Sequence, residues 1–458
     1  MSFKNSKKAG GKSGGELKSV YFRTFGCQMN VHDTERMMGV LSRDGIVAVD
    51  SPDDADIIII NTCSVRGKPE EKTYSEIGRY NFHKNKPNSH FRAKGKRPII
   101  AVAGCVAQQR GDEIIKRFPY VDLVVGTQNI GRISELISET FISGRPIVET
   151  EFHNNLQMES FPRKQNIYTS FVTIIQGCNN FCSYCIVPYV RGREISRPIN
   201  DILNEIESLI EGGIVEITLL GQNVNSYLDP NEGFDFPELI RQVSKIDGIY
   251  RIRFVTSHPK DLSNELISCF GDIETLSSHI HLPIQSGSDR ILRSMNRGYK
   301  RSEYIEKITK LRSVRSDLAV TTDIIVGFPE ESVSDFEDTL SVIEEVGFDN
   351  SFSFKYSERP GTSASKLADD VSNDEKSKRL EKVQDLQRRL TMKSNSNNVN
   401  SIYNVLATGQ SIKDPNEITG RSDQNKIVNF KGAEDTIGSV VPVKIKKALN
   451  NSLWGEAI

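Results

Sequence analysis

Three cysteines stand close together in the stretch QGCNNFCSYCIVP. They are Cys178, Cys182 and Cys185, separated by three and then two residues. An odd number of thiols cannot pair completely as disulfides, and a structural zinc site needs four ligands. The histidines nearest in sequence, His153 and His258, are not at zinc-ligand spacing. An iron–sulfur cluster fits better, since three thiolates on a four-iron cluster leave one iron open for a small molecule; three ordinary buried cysteines remain the alternative.

Three more cysteines lie far apart in the sequence but share a local setting. Cys27, Cys63 and Cys105 each follow an apolar run, namely YFRTFG, DIIIINT and IIAVAG. If these runs are neighbouring parallel strands, their ends meet at one edge of the sheet, where open α/β folds bind ligands. We therefore predict that the three thiols converge on a second cluster, although cysteine is also an ordinary buried residue. Cys269, in NELISCF, has no partner in this scheme and is expected in a core.

The elements that position these thiols follow from the alternation of apolar runs and helical periods. From 17 to 150 the strands are apolar throughout, which predicts a doubly wound parallel sheet. The alternation restarts at 168 and continues to 390 with six strand–helix units, too few for an eight-stranded barrel. We expect a partial (β/α)6 barrel there, with the central cysteines after its first strand.

The remaining segments complete the predicted domain organisation. Residues 1–16 are basic and rich in Gly and Ser, and we expect a disordered tail. Residues 151–167 are polar and are interpreted as a linker. Residues 372–398 predict one charged helix, and 391–458 contain β-like runs separated by turn residues, which predict a small antiparallel β-barrel.

Composition limits the class of protein. The net charge is −1 and hydrophobic residues make up 37% of the chain, so a nucleic-acid partner would need a local basic patch. The longest apolar run, ADIIII, is too short to cross a membrane. Seven cysteines without a disulfide-rich framework favour a reducing compartment, and we expect a cytoplasmic protein.

The central motif resembles the C-x-x-x-C-x-x-C motif of radical S-adenosylmethionine enzymes. The whole chain after the first sixteen residues is similar to the radical S-adenosylmethionine methylthiotransferase family. The shared motifs are TFGCQMN, NTCSVR, GCVAQ, GCNNFCSYCIVPYVRGREISRP, LLGQNVNSY, TSHP, HLPIQSGSDRILRSMNRGY and DIIVGFP. The LLGQNVN and VPYVRGRE stretches are most similar to the members that act on isopentenylated adenosine in tRNA.

This resemblance implies two [4Fe–4S] clusters and S-adenosylmethionine, which would serve as radical source and methyl donor. The product would be a methylthio group on carbon two of the adenine beside the anticodon. Two relatives act instead on threonylcarbamoyladenosine in tRNA or on a ribosomal-protein aspartate, and both remain alternatives. A cluster-containing RNA-binding regulator without catalysis is the alternative of another class.

The resemblance also assigns residues. The central thiols would bind the radical cluster and the dispersed thiols the sulfur-carrying one, with no further catalytic residue expected. Candidates for the cofactor site are Gly221, Gln222, Ser257, Gln285 and Asp323. Hydrogen bonds that merely support loops are the alternative for these residues. Two positions depart from the usual pattern, because Gln176 replaces an acidic residue and Glu330 a glycine.

Several features predict partners. Residues 79–97 carry seven Lys or Arg and three aromatic residues, which suits an RNA loop or, alternatively, a solvated loop. Arg191 and Arg193 are candidates for contacts with the tRNA anticodon stem-loop, or for capping or ion pairing. The last domain resembles the RNA-binding TRAM module, with KIKK at 444–447. The family also implies an electron donor such as flavodoxin or ferredoxin, and we expect a monomer.

Overall fold

The structure is a computed structural model that describes residues 17–64, 73–81, 97–152 and 168–458. The predicted tail, residues 153–167 of the predicted linker and residues 82–96 of the basic stretch lie outside the described residues. The chain divides into two compact units, Met1–Phe161 and Pro162–Ile458. No helix of the described part is long and apolar enough to cross a membrane.

The N-terminal unit contains a six-stranded sheet in the order β2-β1-β3-β4-β5-β6, with every pair parallel. The strands are β1 Ser19–Thr24, β2 Val47–Ala48, β3 Ile57–Thr62, β4 Ile99–Gly104, β5 Leu123–Val125 and β6 Ile147–Glu149. β3 and β4 are buried at every residue, so both faces of the sheet are covered. The predicted doubly wound fold is confirmed.

Helices cover this sheet and begin close to its cysteines. They are α1 Gln28–Arg43, α2 Cys105–Arg110, α3 Asp112–Arg117 and α4 Ile133–Ser143, and residues 73–81 are also helical. The strand order reverses between β1 and β3. In open parallel sheets ligands bind outside the carboxyl ends of strands at such a reversal, and the first two dispersed cysteines lie there.

The second unit begins with six parallel strands in two sheets, β11-β10-β7 and β12-β13-β14. These strands are β7 Thr169–Thr173, β10 Glu216–Leu220, β11 Arg251–Phe254, β12 His279–His281, β13 Ala319–Val326 and β14 Asn350–Lys355. A parallel bridge between Ile252 and Leu276 joins the two sheets. The predicted partial (β/α)6 barrel is therefore confirmed, with the short pair β8 Ile175–Gln176 and β9 Ile195–Ser196 beside its first strand.

Helices surround these strands and bury one continuous apolar core, which includes Cys269 at 0% exposure. The helices are α5 Val187–Arg191, α6 Ile199–Glu211, α7 Phe236–Val243, α8 Asn264–Asp272, α9 Asp289–Ser294, α10 Arg301–Val314, α11 Val333–Val346 and α12 Asn373–Asn397. Because α12 continues to Asn397, the domain boundary predicted at residue 390 falls inside a helix.

The chain ends in a closed five-stranded barrel in the order β15-β16-β17-β19-β18, which confirms the predicted β-barrel. Its strands are β15 Ile402–Gln410, β16 Glu417–Arg421, β17 Ile427–Lys431, β18 Val440–Ala448 and β19 Leu453–Ala457. β16 and β19 were not predicted from the sequence. Each has only five residues and includes a glycine, which is unfavourable inside a strand, and barrel closure determines their conformation.

A buried charged network fixes this barrel to the strands of the partial barrel. Arg251 and Arg253, at the start of β11, share the carboxylate of Glu216 at 2.9 and 3.0 Å. The second carboxylate comes from Asp423, in the turn between β16 and β17, whose Oδ1 lies 3.0 Å from Nε of Arg251. Its Oδ2 accepts hydrogen bonds from the Ser278 N–H and from a third guanidinium. Two buried guanidinium groups are thus balanced by one carboxylate from each barrel.

We expect Asp423→Ala to lower the free energy of unfolding of this unit by about 3 kcal/mol, because it leaves Arg251 buried without its second carboxylate. Urea unfolding followed by the fluorescence of Trp454, the only tryptophan of the chain, measures the change. The control Asp385→Ala removes the carboxylate of an exposed pair with Arg388 and should cost less than about 1 kcal/mol. Equal losses in the two variants would contradict the role of the network.

Candidate metal centres and cofactor site

The three dispersed cysteines of the N-terminal unit meet at one edge of the sheet. Cys27 precedes α1, Cys63 directly follows β3, and Cys105 is the first residue of α2. Cys63 and Cys105 are 1% and 2% exposed, and Cys27 is half-buried. Hydrogen bonds with the thiols of Cys105 and Cys27, together with burial, raise the pKa of Cys63 well above its usual value. Three thiols separated by 36 and 42 residues are therefore neighbours in space.

Two glycines let the backbone pass close to these thiols. Gly26 and Gly104 have φ of +132° and +91°. A Cβ on Gly26 would lie 2.4 Å from the Cβ of Cys63, and a Cβ on Gly104 would lie 2.4 Å from Oδ1 of Asn61. Asn61 in turn donates to the carbonyl of Asn30 at 2.7 Å. Each thiol position is thus fixed by tight backbone packing and buried amides.

The central cysteine loop of the second unit is held by two other segments. The backbone N–H of Cys178 donates to the carbonyl of Gly192 at 3.2 Å, and the N–H of Ser183 donates to the carbonyl of Met295 at 3.0 Å. The side-chain amide of Asn296 donates to the carbonyl of Phe181 at 3.0 Å. Residues 295–297, which the sequence analysis treated only as part of a long motif, therefore position the loop.

Gly177 is the tightest point of this loop. Its φ is +81°, and a Cβ there would lie 2.0 Å from the carbonyl oxygen of Arg193. Its backbone N–H donates to Oε1 of Gln222 at 2.6 Å. Gln222, which follows β10 and is a predicted cofactor residue, thus also holds the backbone turn that precedes Cys178.

Two of the three central thiols lie in surroundings that disfavour the thiolate unless a metal is bound. Burial raises the pKa of Cys178 to about 11 and that of Cys185 to about 12. Cys182 is 9% exposed. A bound metal reverses this preference because it stabilises the thiolate, and binding then releases protons.

No set of three or more His, Cys, Asp or Glu side chains in the described part of the chain is arranged around a single metal ion. A four-iron cluster makes a different demand, because each thiolate binds its own iron and the sulfurs need not converge on one point. The described residues include two groups of three buried or half-buried thiols, and each group could supply three ligands to one four-iron cluster.

Sequence reasoning missed two side chains beside Cys182. The Nη1 of Arg297 donates to its Sγ at 3.3 Å, and the Nε2 of His258 lies 3.9 Å from the same sulfur. Spacing along the chain had set His258 apart from the central motif, yet it follows β11 and reaches the loop that follows β7. Only the adjacency of strand ends in the barrel could have indicated this contact.

The predicted cofactor residues at the ends of β10 and β11 expose unused polar atoms. Nε2 of Gln222 and Oγ of Ser257 are buried and have no hydrogen-bond partner among the residues that the structure describes. A Cβ on Gly221 would lie 2.3 Å from Cγ2 of Ile175, so this position requires glycine. Buried polar atoms normally have partners, and a polar ligand would supply them.

Two more predicted cofactor residues lie across the barrel. Gln285 has a φ of +74° and still bonds to β13, since its N–H donates to the carbonyl of Asp323 at 2.9 Å. Oδ1 of Asp323 lies 3.5 Å from Nε2 of His281 on the neighbouring strand. A left-handed non-glycine residue is a strained conformation that often occurs at ligand sites.

The two candidate RNA-binding arginines have different environments. Arg191 is 3% exposed, so its guanidinium faces the interior rather than a phosphate at the surface. Arg193 is exposed and stacks over the ring of Phe181 at 4.4 Å. That ring also contacts Tyr189, which is 46% exposed.

The two departures from the family pattern are both accommodated. Gln176 is 2% exposed and belongs to the short β8–β9 pair. Glu330 has a φ of +66°, the conformation that favours glycine, and its N–H donates to Oδ1 of Asp370 at 2.8 Å. The usual glycine at this position is thus explained by the backbone.

Comparison with known proteins finds three families that match successive parts of the chain. Residues 19–126 match a family described as Uncharacterized protein family UPF0004, residues 172–343 the Radical SAM superfamily, and residues 397–458 the TRAM domain. The chain is 47% identical to tRNA-2-methylthio-N(6)-dimethylallyladenosine synthase of Syntrophus aciditrophicus, over 98% of each chain. It is 48% identical to the enzyme of the same name from Geobacter metallireducens, over 96% of this chain and 98% of that one.

The chain belongs to the tRNA-2-methylthio-N(6)-dimethylallyladenosine synthase family. This confirms the resemblance drawn from the motifs, and it makes the protein a sulfur-transferring radical enzyme. Membership of the radical SAM superfamily implies S-adenosylmethionine and a [4Fe–4S] cluster, which the central thiols and the unused polar atoms fit.

Solved structures agree on the fold at low identity. The radical S-adenosylmethionine methyltransferase TsrM from Kitasatospora setae superposes with a TM-score of 0.55 at 12% identity, over 76% of this chain and 74% of that one. The cobalamin-dependent radical enzyme OxsB superposes with a TM-score of 0.52 over 80% of this chain and 56% of that one. At these identities the likeness concerns the fold alone.

We expect Gly177→Ala to reduce the iron that the protein binds on anaerobic reconstitution, because the new Cβ would displace the carbonyl of Arg193 and the cysteine loop with it. Iron per chain and the visible absorption of the cluster measure the loss. Gly213→Ala is the matched control, since Gly213 has a φ of +91° but nothing lies within 4 Å of its Cβ position. Similar iron contents in the two variants would contradict the importance of the close approach.

Proposed function

We propose that this protein adds a methylthio group to carbon two of an isopentenylated adenosine beside the anticodon of tRNA. It uses S-adenosylmethionine and two [4Fe–4S] clusters. The observation that carries the proposal is the presence of two separate groups of three thiols, one in each unit, each at the carboxyl ends of parallel strands. The names of the relatives over nearly full length support the substrate.

The two groups of thiols have different tasks in this proposal. The cysteines at 178, 182 and 185 hold the radical cluster, and those at 27, 63 and 105 hold the cluster that carries the sulfur to be transferred. When bound, S-adenosylmethionine and the radical cluster supply the radical that removes hydrogen from an aromatic carbon too inert for acid–base chemistry, as well as the methyl group. The protein's own residues bind the clusters and the substrates, orient them, and exclude water from the site.

In this proposal the unused polar atoms at the strand ends orient the amino acid part of S-adenosylmethionine. Nε2 of Gln222 can donate to a carboxylate, while Oγ of Ser257 can donate or accept. The absence of a side chain at Gly221 lets the end of β10 pack directly against Ile175, beside the turn that leads into the central cysteines. Because Gln222 also holds the N–H of Gly177, the same side chain would align cofactor and cluster loop.

The inner face of β13 and β14 supplies a candidate surface for the adenine base. Phe352 lies opposite Asp323 in the register of these strands and is 50% exposed. Its ring meets the imidazole of His281 edge-on at 6.1 Å. An exposed ring can stack on a purine, and a carboxylate beside it can accept a hydrogen bond from the substituted amine of the base.

Other contacts in the proposal involve the RNA and the electron donor. The TRAM domain and Arg193, stacked on Phe181, would meet the anticodon stem-loop, together with the basic stretch at 79–97 that lies mostly outside the described residues. A protein of the flavodoxin or ferredoxin class would supply electrons. We expect a monomer in the cytoplasm, where its tRNA substrate is found.

The decisive experiment is incubation of the anaerobically reconstituted protein with S-adenosylmethionine, a reductant and tRNA that carries or lacks the isopentenyl group. We expect nucleoside mass spectrometry to detect the methylthio product only in the isopentenylated tRNA. Methylthiolation of threonylcarbamoyladenosine would instead favour the first alternative substrate. An unchanged tRNA pool would contradict the proposal and favour the ribosomal-protein or regulatory alternatives.

Replacing the exposed ring tests the base surface separately. We expect Phe352→Ala to lower methylthiolation about tenfold at limiting tRNA, because stacking on one aromatic side chain contributes roughly 1–3 kcal/mol. Phe352→Trp should retain activity, and so should Val333→Ala, which shortens another exposed apolar side chain. Cleavage of S-adenosylmethionine without tRNA should be unchanged in all three variants. Full activity of Phe352→Ala would show that this surface does not bind the adenine base.

A further inference from the structure

Two buried N–H donors converge on one of the six thiols proposed as cluster ligands. Cys182 Sγ accepts a hydrogen bond from Nη1 of Arg297 at 3.3 Å and lies 3.9 Å from Nε2 of His258. The exposures of Arg297, His258 and Cys182 are 4%, 5% and 9%. The thiols of Cys178 and Cys185 are hydrogen-bonded to backbone N–H groups. The side-chain donors are thus directed at Cys182.

Arg297 is a buried cation without a carboxylate partner among the described residues. Its Nη2 donates to the carbonyl of Pro283 at 2.7 Å, and its Nε donates to the hydroxyl of Tyr299 at 3.0 Å. None of the ion pairs formed by the described residues includes it. Since guanidinium stays charged and buried charges are normally paired, the sulfur of Cys182 is the group in reach that can become its anionic partner.

The orientation of His258 makes it a donor as well. The backbone N–H of Lys260 donates to Nδ1 of His258 at 3.2 Å, which places the imidazole proton on Nε2, toward the sulfur. The sulfur therefore faces a guanidinium donor and an imidazole donor.

We propose that Arg297, assisted by His258, raises the reduction potential of the cluster bound by Cys178, Cys182 and Cys185. Burial of a negatively charged cluster opposes the addition of an electron, whereas positive charge and hydrogen bonds at the ligand sulfurs favour it. The step is a one-electron transfer from a donor of the flavodoxin or ferredoxin class. No bond is broken and no proton is required, because Arg297 remains charged throughout. The inference rests on the proposed function.

The experiment compares midpoint potentials measured by anaerobic redox titration with electron paramagnetic resonance. The background protein carries Cys27→Ala, Cys63→Ala and Cys105→Ala, so that one cluster remains. We expect Arg297→Gln to make reduction at least tenfold less favourable, which is 59 mV for one electron. Arg297→Lys keeps the positive charge, so its equilibrium constant for reduction of the cluster should stay within about threefold of that of the background protein.

Two matched controls distinguish the effect of a positive charge at the Cys182 sulfur from the effects of losing any nearby charge or any hydrogen bond of Arg297. Arg193→Gln removes an exposed positive charge that lies on the ring of Phe181, and solvent should screen its effect on the potential. Tyr299→Phe removes a hydrogen bond of Arg297 without touching the sulfur. In both variants the equilibrium constant for reduction of the cluster should stay within about twofold of that of the background protein. Equal shifts in Arg193→Gln and Arg297→Gln would overturn the inference.

His258→Asn provides an independent variant if Arg297→Gln binds too little iron. Asparagine can still accept from the N–H of Lys260 but no longer reaches the sulfur, so we expect reduction to become about threefold less favourable. Unchanged potentials in His258→Asn and Arg297→Gln, at full iron content, would refute the inference and leave the proposed function intact. Absence of any four-iron signal from the background protein would instead refute the radical centre itself.

Discussion

Gathering buried thiols at the ends of parallel strands is the constraint on which both proposed centres depend. A thiolate is unstable in an apolar interior unless a metal, a cation or hydrogen-bond donors stabilise it. The protein therefore combines apolar strands, which hold the sulfurs in place, with glycines that bring backbone close to them. Gly26 and Gly177 each precede a cysteine, and each lies where a Cβ would collide with the site.

The sequence predicted much of the fold because its apolar runs are strong local signals. The run IIIINT predicts a strand buried on both faces, and the cysteine after it could be placed at a sheet edge from the expected topology. Strands such as EITGR carry no such signal, since closure of the terminal barrel makes them extended. That is why the barrel was predicted but two of its strands were not.

The same distinction applies to the candidate site. The thiols were predictable because cysteine spacing and strand ends are properties of the sequence. The contact of Arg297 with Cys182 joins residues 115 positions apart, and that of His258 joins residues 76 apart. These contacts arise because neighbouring strands of the barrel end side by side and because the loop at 295–297 packs against the cysteine loop. Neither arrangement produces a periodic pattern in the sequence.

The short strand β11 and the loop after it have a consequence for how the second unit works. Arg251, at the start of the strand, is bound to the terminal barrel, and His258, just beyond its end, faces a proposed cluster sulfur. Seven residues at about 3.3 Å each could span at most roughly 23 Å, and the left-handed backbone of Thr256, with a φ of +68°, turns the chain before His258. One short segment thus contacts the terminal barrel at one end and a proposed cluster ligand at the other, so a substitution that shifts the segment would affect both contacts.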